Sequence, residues 1–314
     1  MPTPVNVENF VRAETDTMMA GLAAKAGGVN RWLHNRTPTP LDDQPVIRQN
    51  RDTLYSFAIV DISQGATVTL PDAGARYLSA MVVNQDHYIN AVLHDPGTHE
   101  LTVEDHQTPH VLVAIRILAD PTDPADLAEV ATLQDRLRLE AGSATPYDLP
   151  DYDADSHRRT RDALLALAAG VSGFGRAFGR RTEVDPVQHL IGTAAGWGGL
   201  PDHEAHYVNV QPGLPIGAYE LAVPADVPVD GFWSISLYDA AGYFPTDAGE
   251  RVSVNNVTAR PDDDGSVTVR FGGDPDLPNR LPVVEGWNYL VRFYRPRAEV
   301  RDGSWSMPPV HPVG

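Results

Sequence analysis

Residues 45–62, PVIRQNRDTLYSFAIVDI, open polar and close apolar. Arg48, Asn50, Arg51 and Asp52 crowd the start, and no Gly or Pro then interrupts Leu54 to Val60. Aromatic and β-branched residues dominate this run, which predicts a strand. Leu54, Ser56, Ala58 and Val60 point one way and Tyr55, Phe57 and Ile59 the other. Both sets are largely apolar, so both faces are expected to be covered. Charge so close to a doubly covered strand needs a partner or a ligand. The choice is between an internal Arg–Asp network and a binding site.

The pattern before and after this stretch predicts the remaining elements. Asn6 can cap a helix running to about Ala24, with Glu8 in its first turn and Gly27-Gly28 at its end. A Pro- and Thr-punctuated connector covers 30–44. Strands follow at 66–70, 100–103 and 110–118. Residues 76–94 alternate as one long strand, with Met81, Val83, Gln85, His87 and Ile89 on its core face and Asn84, Asp86, Tyr88 and Asn90 on the other. Closely spaced short strands predict a β-sandwich. Helices are expected at 119–142, 155–169 and 184–195. The chain is then β again at 205–210, 219–223, 231–238, 251–257, 266–271 and 287–294, which suggests a second sandwich or jelly roll. Asp264-Gly265 reads as a hairpin turn between two of these strands. The expected class is mainly β with a helical middle, divided at 1–118, 119–195 and 196–314.

Composition narrows the function. The 314 residues carry a net charge of −18, which opposes phosphate backbones and anionic membrane surfaces. Nucleic acid and membrane are therefore not expected partners. There is no cysteine, which excludes disulfides, thiolate metal sites and a Cys nucleophile. Lys25 is the only lysine and sits at an expected helix end, so Schiff-base chemistry is set aside. No basic segment followed by an apolar one opens the chain, and no apolar run is long enough to span a membrane. The expected location is cytoplasmic.

Candidate motifs are weighed on spacing. Asp151, Asp153, Asp155 and Asp162 follow a calcium-loop spacing, but Ser156 stands where that loop needs Gly. His203, Glu204 and His206 lack the helical i, i+4 spacing of a zincin. Gly173-Phe174-Gly175-Arg176 follows a helix, not a strand, and does not fit a phosphate loop. No Gly-x-Ser-x-Gly elbow occurs. No metal or cofactor is expected.

DDQPVIRQNRDTLYSFAIVDIS with RYLSAMVVNQDHY resembles the bacterial family called domain of unknown function 1254. GFWSISLYDAAGYF, SVNNVTA, DGSVTVRFGG and GWNYLVRFYRPRAEVRDGSW resemble its usual companion, domain of unknown function 1214. The resemblance implies an N-terminal immunoglobulin-like β-sandwich, a short helical domain and a C-terminal jelly-roll β-sandwich. It also implies a tendency to form homo-oligomers.

Two functions are expected from the residues. One is a small-molecule binding protein or enzyme, of hydrolase or lyase type, using metal-independent acid–base chemistry on a carboxylated or acylated substrate. His87, Asp52 and Tyr55 would be its catalytic groups. Arg48, Asn50, Arg51, Gln85 and Tyr88 would bind the substrate, the arginines gripping a carboxylate through paired hydrogen bonds. The other is a non-catalytic oligomeric assembly protein, in which the same polar residues are structural.

Overall fold

A computed structural model describes residues 1–44, 47–171, 173–246 and 251–313. Pro45 and Val46, the first two residues of the opening stretch, lie outside the described residues. The fold is mainly β, with antiparallel sheets and several helices. The chain forms two compact units. The first comprises Met1–Arg36, Tyr55–Ile117 and Val130–Asp202, and the second Thr37–Leu54, Leu118–Glu129 and His203–Gly314. The boundaries differ from the expected linear division. The segment 37–54, which carries the polar cluster, belongs with the C-terminal residues.

In the first unit a five-stranded sheet has the order β1 (Leu33–His34), β2 (Thr53–Asp61), β7 (His110–Leu118), β4 (Leu78–Asn84), β5 (Ile89–Leu93). β7, apolar except for His110 and Arg116, is buried at every position, as expected for a central strand covered on both faces. A second sheet orders β6 (Gly97–Leu101), β3 (Ala66–Leu70) and β8 (Arg138–Ala141). A short helix, α2 (Val103–His106), follows β6. Helices α1 (Phe10–Ala26), α4 (Ala154–Ala168) and α5 (Pro186–Gly196) pack through Val5, Phe10, Ala13, Leu164 and Ile191.

Three expectations are corrected here. The first helix starts at Phe10, because Asn6 and Asn9 bond each other and Pro4 in a preceding turn. The helix expected over 119–142 is α3 (Pro124–Asp135), and its tail becomes strand β8. Leu137 and Leu139 alternate with Arg136 and Arg138, and that period suits pairing with β3. The single strand expected over 76–94 is two strands, β4 and β5, separated by a turn. The Asn84 carboxamide oxygen accepts from the Asp86 and Tyr88 amides at 3.0 and 2.9 Å, and His87 takes φ 60°. An Asn side chain that mimics a backbone turn ends a strand.

The second unit holds two four-stranded sheets. One orders β14 (Arg280–Leu281), β13 (Val267–Phe271), β10 (Tyr219–Val223) and β16 (His311–Pro312). The other orders β12 (Ser253–Asn255), β11 (Trp233–Tyr238), β15 (Asn288–Tyr294) and β9 (Ala205–Val210). Leu221, Val269 and Phe271 from the first sheet join Trp233, Ile235, Leu237, Val291 and Phe293 from the second in one core. Asp264-Gly265 does form a tight turn, closed by the Asp262 amide on Ser266. However, β12 and β13, which flank it, lie in different sheets, so it is a crossover and not a hairpin. Helix α6 (Ala298–Arg301) closes the unit.

Candidate functional site

Alternation along β11 sends Trp233, Ile235 and Leu237 into the core and leaves Ser234, Ser236 and Tyr238 on the opposite face. Register adds Arg292 and Asn255, both opposite Ser234, to that face. This face is buried as well: Ser234, Ser236, Tyr238 and Arg292 are at most 2% exposed. A buried polar face needs internal partners. The segment carrying the polar cluster supplies them.

Arg292 donates to the Ser236 hydroxyl (2.7 Å), the Tyr238 hydroxyl (2.7 Å), and the carbonyls of Arg48 (2.8 Å) and Gln49 (3.2 Å). The Tyr238 hydroxyl in turn donates to Gln49 O at 2.7 Å. Burial raises the Tyr238 pKa, so the phenol keeps the proton this bond needs. Arg48, at φ 55°, donates to Asn288 Oδ1 and lies over the Tyr238 ring. Asn50 donates to the Tyr294 hydroxyl at 3.0 Å and accepts from the Asp52 amide at 2.8 Å. Arg51 is 4% exposed in the same segment.

Asp52 is fully buried. Its Oδ1 accepts from Asn255 Nδ2 at 3.3 Å, while Oδ2 has no hydrogen bond among the described residues. Asn255 points its other end at a turn, accepting from the Val257 amide, the Thr258 amide and the Thr258 hydroxyl at 2.9–3.1 Å. Thr258 lines a cleft of about 530 Å³. The buried carboxylate is thus two hydrogen-bonded side chains away from open space.

That cleft is cationic in an acidic protein. Arg251, Arg260 and Arg280 line it, with Asp276 the one carboxylate among the described lining residues, and Pro275, Leu277, Pro278 and Pro282 add apolar side chains to a mostly polar lining. Asn279 holds Arg260 by its backbone: its Oδ1 accepts from Arg260 N at 2.8 Å and its Nδ2 donates to Arg260 O at 2.7 Å. Asn279 sits at φ 54°, a conformation that Asn tolerates well. Arg280 donates from Nε to Gly272 O at 3.2 Å, which leaves its terminal nitrogens for other partners. Among the described residues none of these three arginines makes an ion pair. Arg270, opposite Arg280 in the parallel β13–β14 pair, is paired with Glu220.

The other expected site residues lie in the first unit. His87 is fully buried. The Asp185-Pro186 start of α5, capped by the Asp185 carboxylate, sets His189 and Thr193 one turn apart. Thr193 donates its hydroxyl proton to His189 O at 2.8 Å, so it accepts from His87 Nδ1 at 2.8 Å. The Gly198 amide donates to His87 Nε2 at 2.9 Å. Both ring nitrogens are therefore used, with the proton on Nδ1. Trp197 stacks on the imidazole at 5.5 Å and Phe178 meets it edge-on. Tyr88 stacks on His189 at 4.7 Å. Tyr55 stacks on Phe57 and lies beneath Arg116, whose Nη2 donates to Gly198 O. Tyr55 and His87 are in this way tied to one glycine. Gln85 donates to Asp16 and to the Tyr147 hydroxyl.

Two family models match: a protein of unknown function, DUF1254, over residues 29–100, and a protein of unknown function, DUF1214, over residues 211–298. The chain belongs to the two-domain DUF1254/DUF1214 family. The DUF1254 match contains Arg48, Asp52 and His87, and the DUF1214 match contains the arginine cleft. The fold is similar to that of the VPA0106 protein from Vibrio parahaemolyticus, at TM-score 0.76, 18% identity and 98% coverage of both chains. It is also similar to an uncharacterised protein from Burkholderia cenocepacia, at TM-score 0.55 and 16% identity, covering 98% of this chain and 87% of that one. No curated protein matches.

The expected site residues thus divide. Arg48, Asn50, Arg51 and Asp52 belong to the second unit, and Tyr55, Gln85, His87 and Tyr88 to the first. Sequence reasoning missed Arg292, Asn255 and the three cleft arginines. It also missed Asp16, buried in α1, which accepts from Tyr147 and Tyr152 at 2.6 and 2.8 Å. One signal was available. Arg292 interrupts an otherwise apolar strand, NYLVRFY, and a charge there requires partners.

Proposed function

We propose that this protein binds a small carboxylated molecule in the arginine cleft of its second unit, without metal and without turning the ligand over. The observation that carries this reading is the set of Arg251, Arg260 and Arg280 around one cavity, with no ion pair among the described residues, in a chain of net charge −18. Guanidinium groups that line a cleft without an acidic partner fit an oxyanion ligand, and the fork geometry suits carboxylate and phosphate alike. The volume falls within the usual range for small-molecule sites, roughly 300–1,000 Å³.

The acid–base alternative has weaker support. His87 has both nitrogens engaged, and Asp52 is fully buried. The polar cluster is better read as the frame beneath the cleft, tied to it through Asn255 and Thr258. We read the first unit as an immunoglobulin-like sandwich and the second as a jelly roll, with the cleft on the crossover side of the latter.

Calorimetry of the full chain with benzoate and with uncharged benzamide tests the reading. Benzoate is expected to bind, benzamide not, and Arg260→Met to weaken benzoate about tenfold or more. Equal binding of benzoate and benzamide, or no effect of Arg260→Met, would remove the cleft as the site.

A further inference from the structure

We infer that the cleft selects a doubly charged oxyanion head, as in a phosphate monoester, carried on a small apolar body. The inference rests on the reading of the cleft as an anion site and adds the class of its ligand. Arginine is protonated at any working pH. Among the described residues that line the cleft, three arginines therefore stand against one carboxylate, Asp276. A monocarboxylate offers two oxygens and one charge, so it satisfies one fork and leaves the others repelling each other. A phosphate monoester offers three terminal oxygens and two charges, enough to accept from all three side chains.

Two of the three arginines are tethered beside the cleft, Arg260 by its backbone and Arg280 by its side chain. Asn279 fixes the Arg260 backbone from both sides. Arg280 is anchored by its Nε on Gly272, so its two terminal nitrogens stay together as donors. Pro275, Pro278 and Pro282 lock φ along the wall that follows. A site ordered before binding loses less freedom when the ligand arrives. The Thr258 hydroxyl is already turned to Asn255, so its oxygen retains acceptor capacity toward a ligand hydroxyl rather than toward the anion. The body of the ligand is set by the segment 275–282. Leu277 is 42% exposed beside the prolines, and about 530 Å³ exceeds what a bare oxyanion fills. A short apolar or aromatic group fits that remainder.

The test is calorimetry of the full chain at pH 8 and low salt, with phenyl phosphate and benzoate as probes. The two share an aromatic body and differ in head charge. Phenyl phosphate is expected to bind about tenfold more tightly or better. Arg260→Met and Arg280→Met should each weaken it about tenfold or more, whereas Arg297→Met, which alters a pair with Asp230, should leave it unchanged. Arg260→Lys keeps the charge but loses the fork. It should bind phenyl phosphate between the native protein and Arg260→Met, and it provides a second variant should the methionine form not fold. Benzoate binding as tightly as phenyl phosphate, with both weakened by Arg260→Met, would overturn the dianion and leave the carboxylate reading standing. Binding of neither probe would overturn both. Binding of phenyl phosphate that no arginine substitution changes would place the ligand elsewhere and overturn the inference.

Discussion

His87 combines a left-handed backbone, full burial and two engaged ring nitrogens. Burial, with His189 second, pushes its pKa down to about 3 from 6.5. The folded state therefore binds fewer protons than the unfolded chain between those values. The stability this neutral imidazole contributes is complete above pH 6.5 and is lost as the pH falls toward 3. One such group gives a slope of at most about 1.4 kcal/mol per pH unit. His106, also pushed down by burial, adds in the same direction. Urea midpoints of His87→Asn between pH 7 and 4 are expected to start lower than the native protein and to fall less steeply. An unchanged slope would show that His87 is already charged in the fold. The sequence placed this imidazole inward by strand alternation. It could not supply Thr193 and Gly198, which are more than 100 positions away in the chain.

At the scale of elements, local signals were legible wherever period and punctuation agreed. Ala66–Leu70, His110–Leu118 and Ala205–Val210 fall where the alternation put them. Signals failed where a polar side chain took over the backbone. Asn84 bends the long strand into two, and the tail of the helix expected over 119–142 pairs as β8 because β3 has a free neighbour position on that side. The cleft depends on another local constraint. Gly272 follows β13 at φ 71°, and a Cβ there would lie 2.0 Å from Gly217 O. Both backbone strain and a clash with main chain oppose any side chain. Gly272→Ala is expected to cost about 3 kcal/mol or more and to weaken benzoate binding, since Arg280 anchors on this residue. Denaturant unfolding within about 0.5 kcal/mol of the native protein would show that the turn relaxes freely.

For the whole molecule, net charge argues against polyanionic partners, yet it hides a local reversal of sign. Arg251, Arg260 and Arg280 are spread over about 30 residues of a chain rich in Asp, and only the turns of the second unit gather them. Arg292 is similar: its strand was legible, but two of its four acceptors, the carbonyls of Arg48 and Gln49, come from the segment 37–54, which joins the C-terminal residues in one unit. Sequence therefore carried the elements and the family, while the candidate site arises from long-range assembly. The most direct test is to locate a ligand. Crystals of the full chain grown with 4-bromobenzoate should show anomalous bromine density in the cleft beside Leu277, with the carboxylate toward Arg260 and Arg280. Bromine density elsewhere, with the cleft holding only solvent, would contradict the account.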